Sequence, residues 1–233
     1  PIGNYNESIY IGKSITVTCG GDCTIDARGV DARAVVIDAS NATLDGFTIP
    51  GDETMYAGVV VTPSSVDATV SNNTIYGMQL SNPSNDSPLA YGILTWGPTN
   101  DNMPVGSNFI NNDISYIAGS GISLGDNTYN TTISGNKIHN IIPVNIAGQE
   151  LSIGIQANLS TNLTISNNTF ELVAIASNLL ASTASLSNNS YEFVGSYLTT
   201  TVPNLINFTD SVDYWVASSS VPVESNGEYV MVQ

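Results

Sequence analysis

The chain has 233 residues, 42% hydrophobic and 10% charged. That apolar content supports a folded core, and the Asn-, Ser- and Thr-rich remainder is unlike the Lys/Glu-rich make-up of disordered chains. Four basic residues, Lys13, Arg28, Arg33 and Lys137, stand against twenty acids for a net charge of -16, which repels nucleic acid, anionic lipid and acidic polysaccharide and suits divalent cations, salt or neutral partners.

The chain starts at Pro1 with no basic-then-apolar leader, so it reads as a mature, processed product, and no run approaches the roughly 18 apolar residues of a membrane span. Residues 1–30 are expected to form an N-terminal start or cap. Within them the glycines of "TCGGDC" allow a tight reversal between Cys19 and Cys23. A local disulfide is the first reading in an exported protein; a pair of intermolecular disulfides and two free thiols are the alternatives. A zinc site is not expected, because the single histidine, His139, lies far away in sequence.

Residues 31–191 carry an internal repeat. One series reads "LDGFTI" (44–49), "VSNNTI" (70–75), "FINNDI" (109–114), "ISGNKI" (133–138), "ISNNTF" (165–170) and "LSNNSY" (186–191). A second interleaves with it: "RAVVID" (33–38), "AGVVVT" (57–62), "YGILTW" (91–96), "SGISLG" (120–125) and "IGIQAN" (153–158). Both alternate apolar and polar residues with period two, are rich in β-branched side chains and are punctuated by Gly, Asn, Asp and Ser, so they predict strands and turns with almost no helix. Short strands turning through such corners coil into a prism in which equivalent strands pair in parallel and inward side chains stack. The expectation is therefore one all-β domain over 1–233, a right-handed parallel β-helix of roughly seven to eight turns.

At the corners, Asn73, Asn112, Asn136, Asn168 and Asn189 occupy equivalent places. Asparagine tolerates the left-handed backbone region and can stack into a hydrogen-bonded ladder, so a structural role is expected for these five. Loops are expected at 81–92 and 97–107, where prolines and turn formers cluster. Beyond Tyr191 the repeat fades, and 192–233 is expected to cap the solenoid or dock onto a neighbour.

The opening "GNYNESIYIGKSITVTCGGDCTIDA" followed by "VVIDASNATLDGFTI" resembles right-handed parallel β-helix domains of the pectate-lyase-like superfamily, in particular its surface-protein and periplasmic carbohydrate-binding-like branches, over about residues 3–191. The resemblance implies the fold more than a function, since that superfold hosts lyases, hydrolases, tailspikes and inert surface proteins. The hydrolase motifs of the superfamily are not matched: "NND" at Asn111–Asp113 is a partial match only, and no paired aspartates, G-H-G or R-I-K accompany His139. A lyase base beside calcium-binding acids is not recognisable either.

Chemistry is then sought among the acids. Asp113 with Asp126, or Asp38 with Asp45 and Asp67, could form the two-carboxylate pair of glycoside hydrolysis, although solvated corner positions suit them better. Asp26, Arg28, Asp31 and Arg33 read as a surface ion-pair network. Calcium is conceivable around Asp22 and Asp26, but no calcium-loop spacing is present and no metal site is assigned. Trp96 and Trp215 suit sugar stacking or packing equally. Sequons begin at Asn6, Asn41, Asn72, Asn85, Asn130, Asn158, Asn162, Asn167, Asn188 and Asn207. They point to a cell-surface location, against the chance production of sequons by so much Asn, Ser and Thr.

Together these features predict an extracellular, self-assembling structural protein of the cell envelope, resembling an archaeal sheath or surface-layer component, without catalytic residues or a cofactor and with copies of itself as partners. A carbohydrate-active or carbohydrate-binding β-helix is the alternative, and an adhesin- or tailspike-like recognition domain a third.

Overall fold

The computed structural model describes residues 2–80, 89–96, 105–146, 149–200, 206–210, 223–225 and 228–230. The expected loop tips and most of the 192–233 tail, with Asn85 and Trp215, lie outside the described residues.

Three parallel sheets of eight strands each wind around one core. Sheet A comprises Gly3–Tyr5, Cys23–Ile25, Thr48–Pro50, Thr74–Tyr76, Asp113–Ser115, Lys137–His139, Thr169–Glu171 and Ser190–Glu192. Sheet B comprises Ile9–Ile11, Arg33–Ile37, Ala57–Val61, Ala90–Thr95, Gly119–Leu124, Ile153–Asn158, Ile175–Leu180 and Ser196–Thr200. Sheet C comprises Thr16–Thr18, Thr43–Asp45, Thr69–Ser71, Asn108–Ile110, Thr132–Ser134, Leu163–Ser166, Ala184–Ser187 and Ile206–Phe208. The chain visits A, B and C in turn, which makes eight rungs of a right-handed parallel β-helix. No helix occurs among the described residues.

The second sequence series is sheet B. Each member of the first spans a sheet C strand, a corner and a sheet A strand, so the two series encode three sheets. The rungs begin at Gly3 and reach Phe208, on both sides of the 31–191 repeat. The long step between Ile138 and Phe170 has a local origin: an antiparallel hairpin, Val144–Ile146 with Gln149–Leu151, is inserted between sheets A and B of the sixth rung.

Side-chain alternation builds the core in columns. In sheet A, Ile49, Ile75, Ile114, Ile138, Phe170 and Tyr191 stack in register, the last two with ring centroids 5.5 Å apart. Val35, Val59, Ile93, Ile122 and Ile155 stack likewise in sheet B. Beside them runs a column of glycines, Gly58, Gly92, Gly121 and Gly154. A Cβ at Gly92 would come within 2.6 Å of both Ile114 Cγ2 and the Gly121 carbonyl oxygen, and one at Gly121 within 2.7 Å of Ile138 Cγ2. Sheet A can seat its isoleucines only because the facing strand has no side chain there.

Candidate functional site

The C–A corner contains the asparagine ladder. Asn73, Asn112, Asn136, Asn168 and Asn189 are buried. The backbone N–H and Nδ2 of each donate to the side chain one rung on, from Asn73 onto Asn112 at 3.0 and 3.1 Å to Asn168 onto Asn189 at 3.0 and 3.0 Å. Nδ2 also donates to a sheet C carbonyl, such as Val70 O from Asn112. The ladder begins at Phe47, whose N–H donates to Asn73 Oδ1, and ends at buried Asp210. A carboxylate only accepts, and Asp210 takes hydrogen bonds from Asn189 N–H, Asn189 Nδ2 and Tyr191 Oη without needing a further rung. The left-handed conformation belongs to the preceding residue: Asn72, Asn111, Asn167 and Asn188 have φ near 56°, and Gly46 and Gly135 take the equivalent place. The corner thus uses a pair of residues, the first to turn the chain and the second to tie the rungs.

Register gathers a polar cluster on the outer face of sheet A. Asp113 pairs with Lys137, and Ser115 with His139, which pairs with Glu171. His139 Nε2 lies 2.9 Å from Asp113 Oδ1, and Asn140 Nδ2 lies 2.8 Å from His139 Nδ1. The Asn140 amide and the Asp113 carboxylate thus flank the two ring nitrogens. Lys137 Nζ lies 3.6 Å from Glu171. Both ring nitrogens are occupied and the lysine is paired, so the cluster as it stands is a set of cross-rung surface contacts with polar groups facing outward. Aligning the residues after each ladder asparagine ("DIS", "KIH", "TFE", "SYE") would have revealed it.

The acids considered as pairs occupy different positions in the fold. Asp113 lies on sheet A, whereas Asp126 lies at the B–C corner, where it accepts from Asn158 Nδ2 at 2.8 Å. Asp38, after a sheet B strand, accepts from Tyr10, Thr62 and Ser64, and these hydroxyls, Ser64 foremost, hold its carboxyl below the usual range. Asp45, on sheet C, is lowered by Asn72, then Ser71 and Thr18. Asp67 occupies a left-handed corner. The Asp26, Arg28, Asp31, Arg33 group resolves into two separate pairs, Arg28–Asp26 at 2.6 Å and Arg33–Asp31 at 3.1 Å. Arg28 also depresses Asp26. Among the described residues no three acidic, His or Cys groups converge as a metal site would require. Cys19, in the loop after the first sheet C strand, is joined to Cys23, the first residue of the second sheet A strand, with Cα atoms 5.9 Å apart.

The A–B corner was not anticipated. Immediately after four successive sheet A strands, Tyr116, Asn140, Leu172 and Phe193 adopt φ of 54°, 53°, 55° and 52°. The next residues, Ile117, Ile141 and Val173, turn inward and are buried. Tyr116, Leu172 and Phe193 instead expose their side chains, at 51%, 47% and 74%. They form an apolar ridge along one edge of the prism, on a backbone conformation that bulky L-residues avoid. Trp96, 48% exposed, ends a sheet B strand away from this ridge.

No family model matches the chain. A cell surface glycoprotein of the archaeon Methanothermus fervidus is 33% identical over 73 residues, 31% of this chain and 12% of that protein. Among solved structures, the surface adhesin PfbA of Streptococcus pneumoniae superposes with a TM-score of 0.59 at 14% identity, covering 94% of this chain and 52% of the adhesin. The A-module of a mannuronan C-5 epimerase from Azotobacter vinelandii gives a TM-score of 0.42 at 12% identity, over 88% of this chain and 56% of the module. The chain therefore spans only part of each of these proteins. The adhesin likeness establishes the parallel β-helix.

Proposed function

We propose that residues 1–233 are a single β-helical module of a cell-surface structural protein, and that copies associate side by side into an envelope layer or sheath. The observation that carries this reading is the apolar ridge of Tyr116, Leu172 and Phe193. These side chains stand at multiples of the rung spacing, in the fifth, seventh and eighth rungs with Asn140 in the sixth, so a partner must carry a matching spacing, which a second copy of the same solenoid does. The -16 net charge opposes such contacts at low salt, and screening removes that opposition while the apolar contact persists. Association should therefore strengthen with ionic strength. Electron microscopy and light scattering of the isolated protein test this: sheets, hoops or tubes that grow with salt support it, and a monodisperse monomer at high concentration and high salt refutes it.

A second reading is a carbohydrate-binding or carbohydrate-active face. It is favoured by the polar cluster of Asp113, Lys137, His139 and Glu171 on sheet A, with Tyr76 and Tyr116 exposed beside it. Binding or turnover on a broad glycan panel, abolished by His139→Ala, would favour it; silence across the panel would remove it. Adhesin-type recognition shares this fold, and trimeric particles instead of extended layers would point there.

A further inference from the structure

We propose that this chain is N-glycosylated along one side of the prism, sheet C and its two flanking corners, with Asn41, Asn130 and one of Asn167 and Asn188 as the acceptors. The proposal rests on the cell-surface reading above.

The sequons are scattered in sequence but not in space. Asn41, Asn130 and Asn162 occupy the B–C corner, Asn72, Asn167 and Asn188 the C–A corner, Asn207 sits on sheet C itself, and Asn158 ends a sheet B strand beside it. Among the described sequons only Asn6 lies elsewhere, between sheets A and B. At the C–A corner the sequons follow from the fold, because a turning Asn, a ladder Asn and an outward Thr or Ser spell one automatically. The B–C corner has no ladder, and Asp67 and Gly106 make the same turn there without an Asn. The sequons at Asn41, Asn130 and Asn162 are therefore not a by-product of the ladder.

Side-chain partners separate available acceptors from committed ones. An amide nitrogen that carries a sugar keeps one hydrogen and projects the glycan from that atom, so an Nδ2 held against the protein is a poor acceptor. Nδ2 of Asn72 is held by Asp45 at 2.7 Å, of Asn158 by Asp126 at 2.8 Å, and of Asn162 by Asn130 Oδ1 at 2.8 Å. Nδ2 of Asn207 donates to Ser185. Asn41, Asn130, Asn167 and Asn188 are exposed, and among the described residues their own Nδ2 atoms make no such bond. Their φ values of 56–57° place each at the apex of its corner. Asn167 and Asn188 occupy adjacent rungs, Asn167 N–H donating to Ser187 O, so they are about 4.8 Å apart and leave room for one glycan.

The surface between the corners suits this use. Its outward residues in three successive rungs are Thr132, Ser134, Thr164, Ser166, Ser185 and Ser187, small hydroxyl side chains over which a sugar can lie. The apolar ridge occupies the corner opposite this face.

The test is glycopeptide mass spectrometry on the protein taken from its native cell surface, with surface exposure checked separately by protease treatment of intact cells. Hexose-containing additions are expected on the peptides of Asn41 and Asn130 and on one of Asn167 and Asn188. Thr43→Val and Thr132→Val keep the turning asparagines but destroy two sequons, and each should remove one glycan without changing the circular dichroism spectrum. Unmodified peptides, or modification confined to Asn6, from a chain that is protease-accessible on cells would overturn this proposal alone. A chain found inside the cell would overturn the surface reading and this proposal together.

Discussion

Two corners of the prism make the same backbone demand and answer it with different residues. At the C–A corner each left-handed position holds Asn or Gly: Gly46, Asn72, Asn111, Gly135, Asn167 and Asn188. At the A–B corner four successive rungs use Tyr116, Asn140, Leu172 and Phe193. The first set minimises strain next to a buried ladder. The second accepts both backbone strain, of the order of 1–2 kcal/mol for each bulky residue, and exposed apolar surface. Local misfits of this kind are expected where something outside the chain compensates. One corner holds rungs to each other, and under the proposed assembly the other makes the contact between copies.

Breaking the ladder should produce the largest effect. Asn136→Leu removes the acceptor for Asn112 N–H and Nδ2 and the donor to Asn168 Oδ1 and Phe109 O, all in a buried corner. At about 1–3 kcal/mol for each buried group left without a partner, a loss of about 3–5 kcal/mol is expected, read as a fall in the urea midpoint. A loss under 1 kcal/mol would mean that the ladder is ornamental. Next comes Gly121→Ala, whose Cβ would press on Ile138 and the Gly154 carbonyl. Overpacking of this kind costs about 1–3 kcal/mol, and an unchanged midpoint would show that the two sheets can separate freely.

The corner comparison itself is tested by Leu172→Asn and Phe193→Asn. Asparagine tolerates φ near 55°, so each substitution should stabilise the isolated chain, by about 0.5–1 kcal/mol, while weakening association. A gain in thermal midpoint together with smaller assemblies would confirm that strain at this corner serves contact. Loss of stability together with unchanged assembly would show the opposite, that Leu172 and Phe193 brace the fold.

The fold was legible because apolar alternation and corner asparagines recur in the sequence, and those signals arise from buried, register-locked positions such as Ile75, Ile114 and Ile138. The left-handed residue was misplaced by one, since "NN" does not say which Asn turns the chain and which ties the rungs. Sheet A was hidden because its three-residue strands run on from sheet C through a two-residue corner, and both read as one segment. The polar cluster around His139 and the ridge at Tyr116, Leu172 and Phe193 depend on aligning that concealed strand. Neither has a local signature: a Leu after a Glu looks ordinary until a φ of 55° is attached to it. The carboxylate pairs failed for the same reason, because sequence proximity of Asp113 and Asp126 says nothing about which sheet each occupies.

The smallest expected effect separates the two corners by pH. Asp45 supports the turning residue Asn72, accepting from its Nδ2 at 2.7 Å and from Ser71 Oγ at 2.7 Å. These bonds, that from Asn72 first, lower the Asp45 carboxyl below the ordinary Asp value near 3.9. Because the folded-state value is the lower one, the contribution is fully present above about pH 4 and is lost as pH falls through the folded value. Asp38 and Asp26 follow the same sign. Among the described residues no carboxylate braces Leu172 or Phe193 in this way, so acid should loosen the C–A corner around the third rung before it affects the ridge. Thermal midpoints measured from pH 5 to pH 2 should fall on the acid side, and Asp45→Asn should flatten part of that fall while leaving the neutral-pH assembly size unchanged. An acid limb identical in the variant would place the pH sensitivity elsewhere, at Asp38, Asp26 or Asp31, and would remove the carboxylate from the account of how the C–A corner is held.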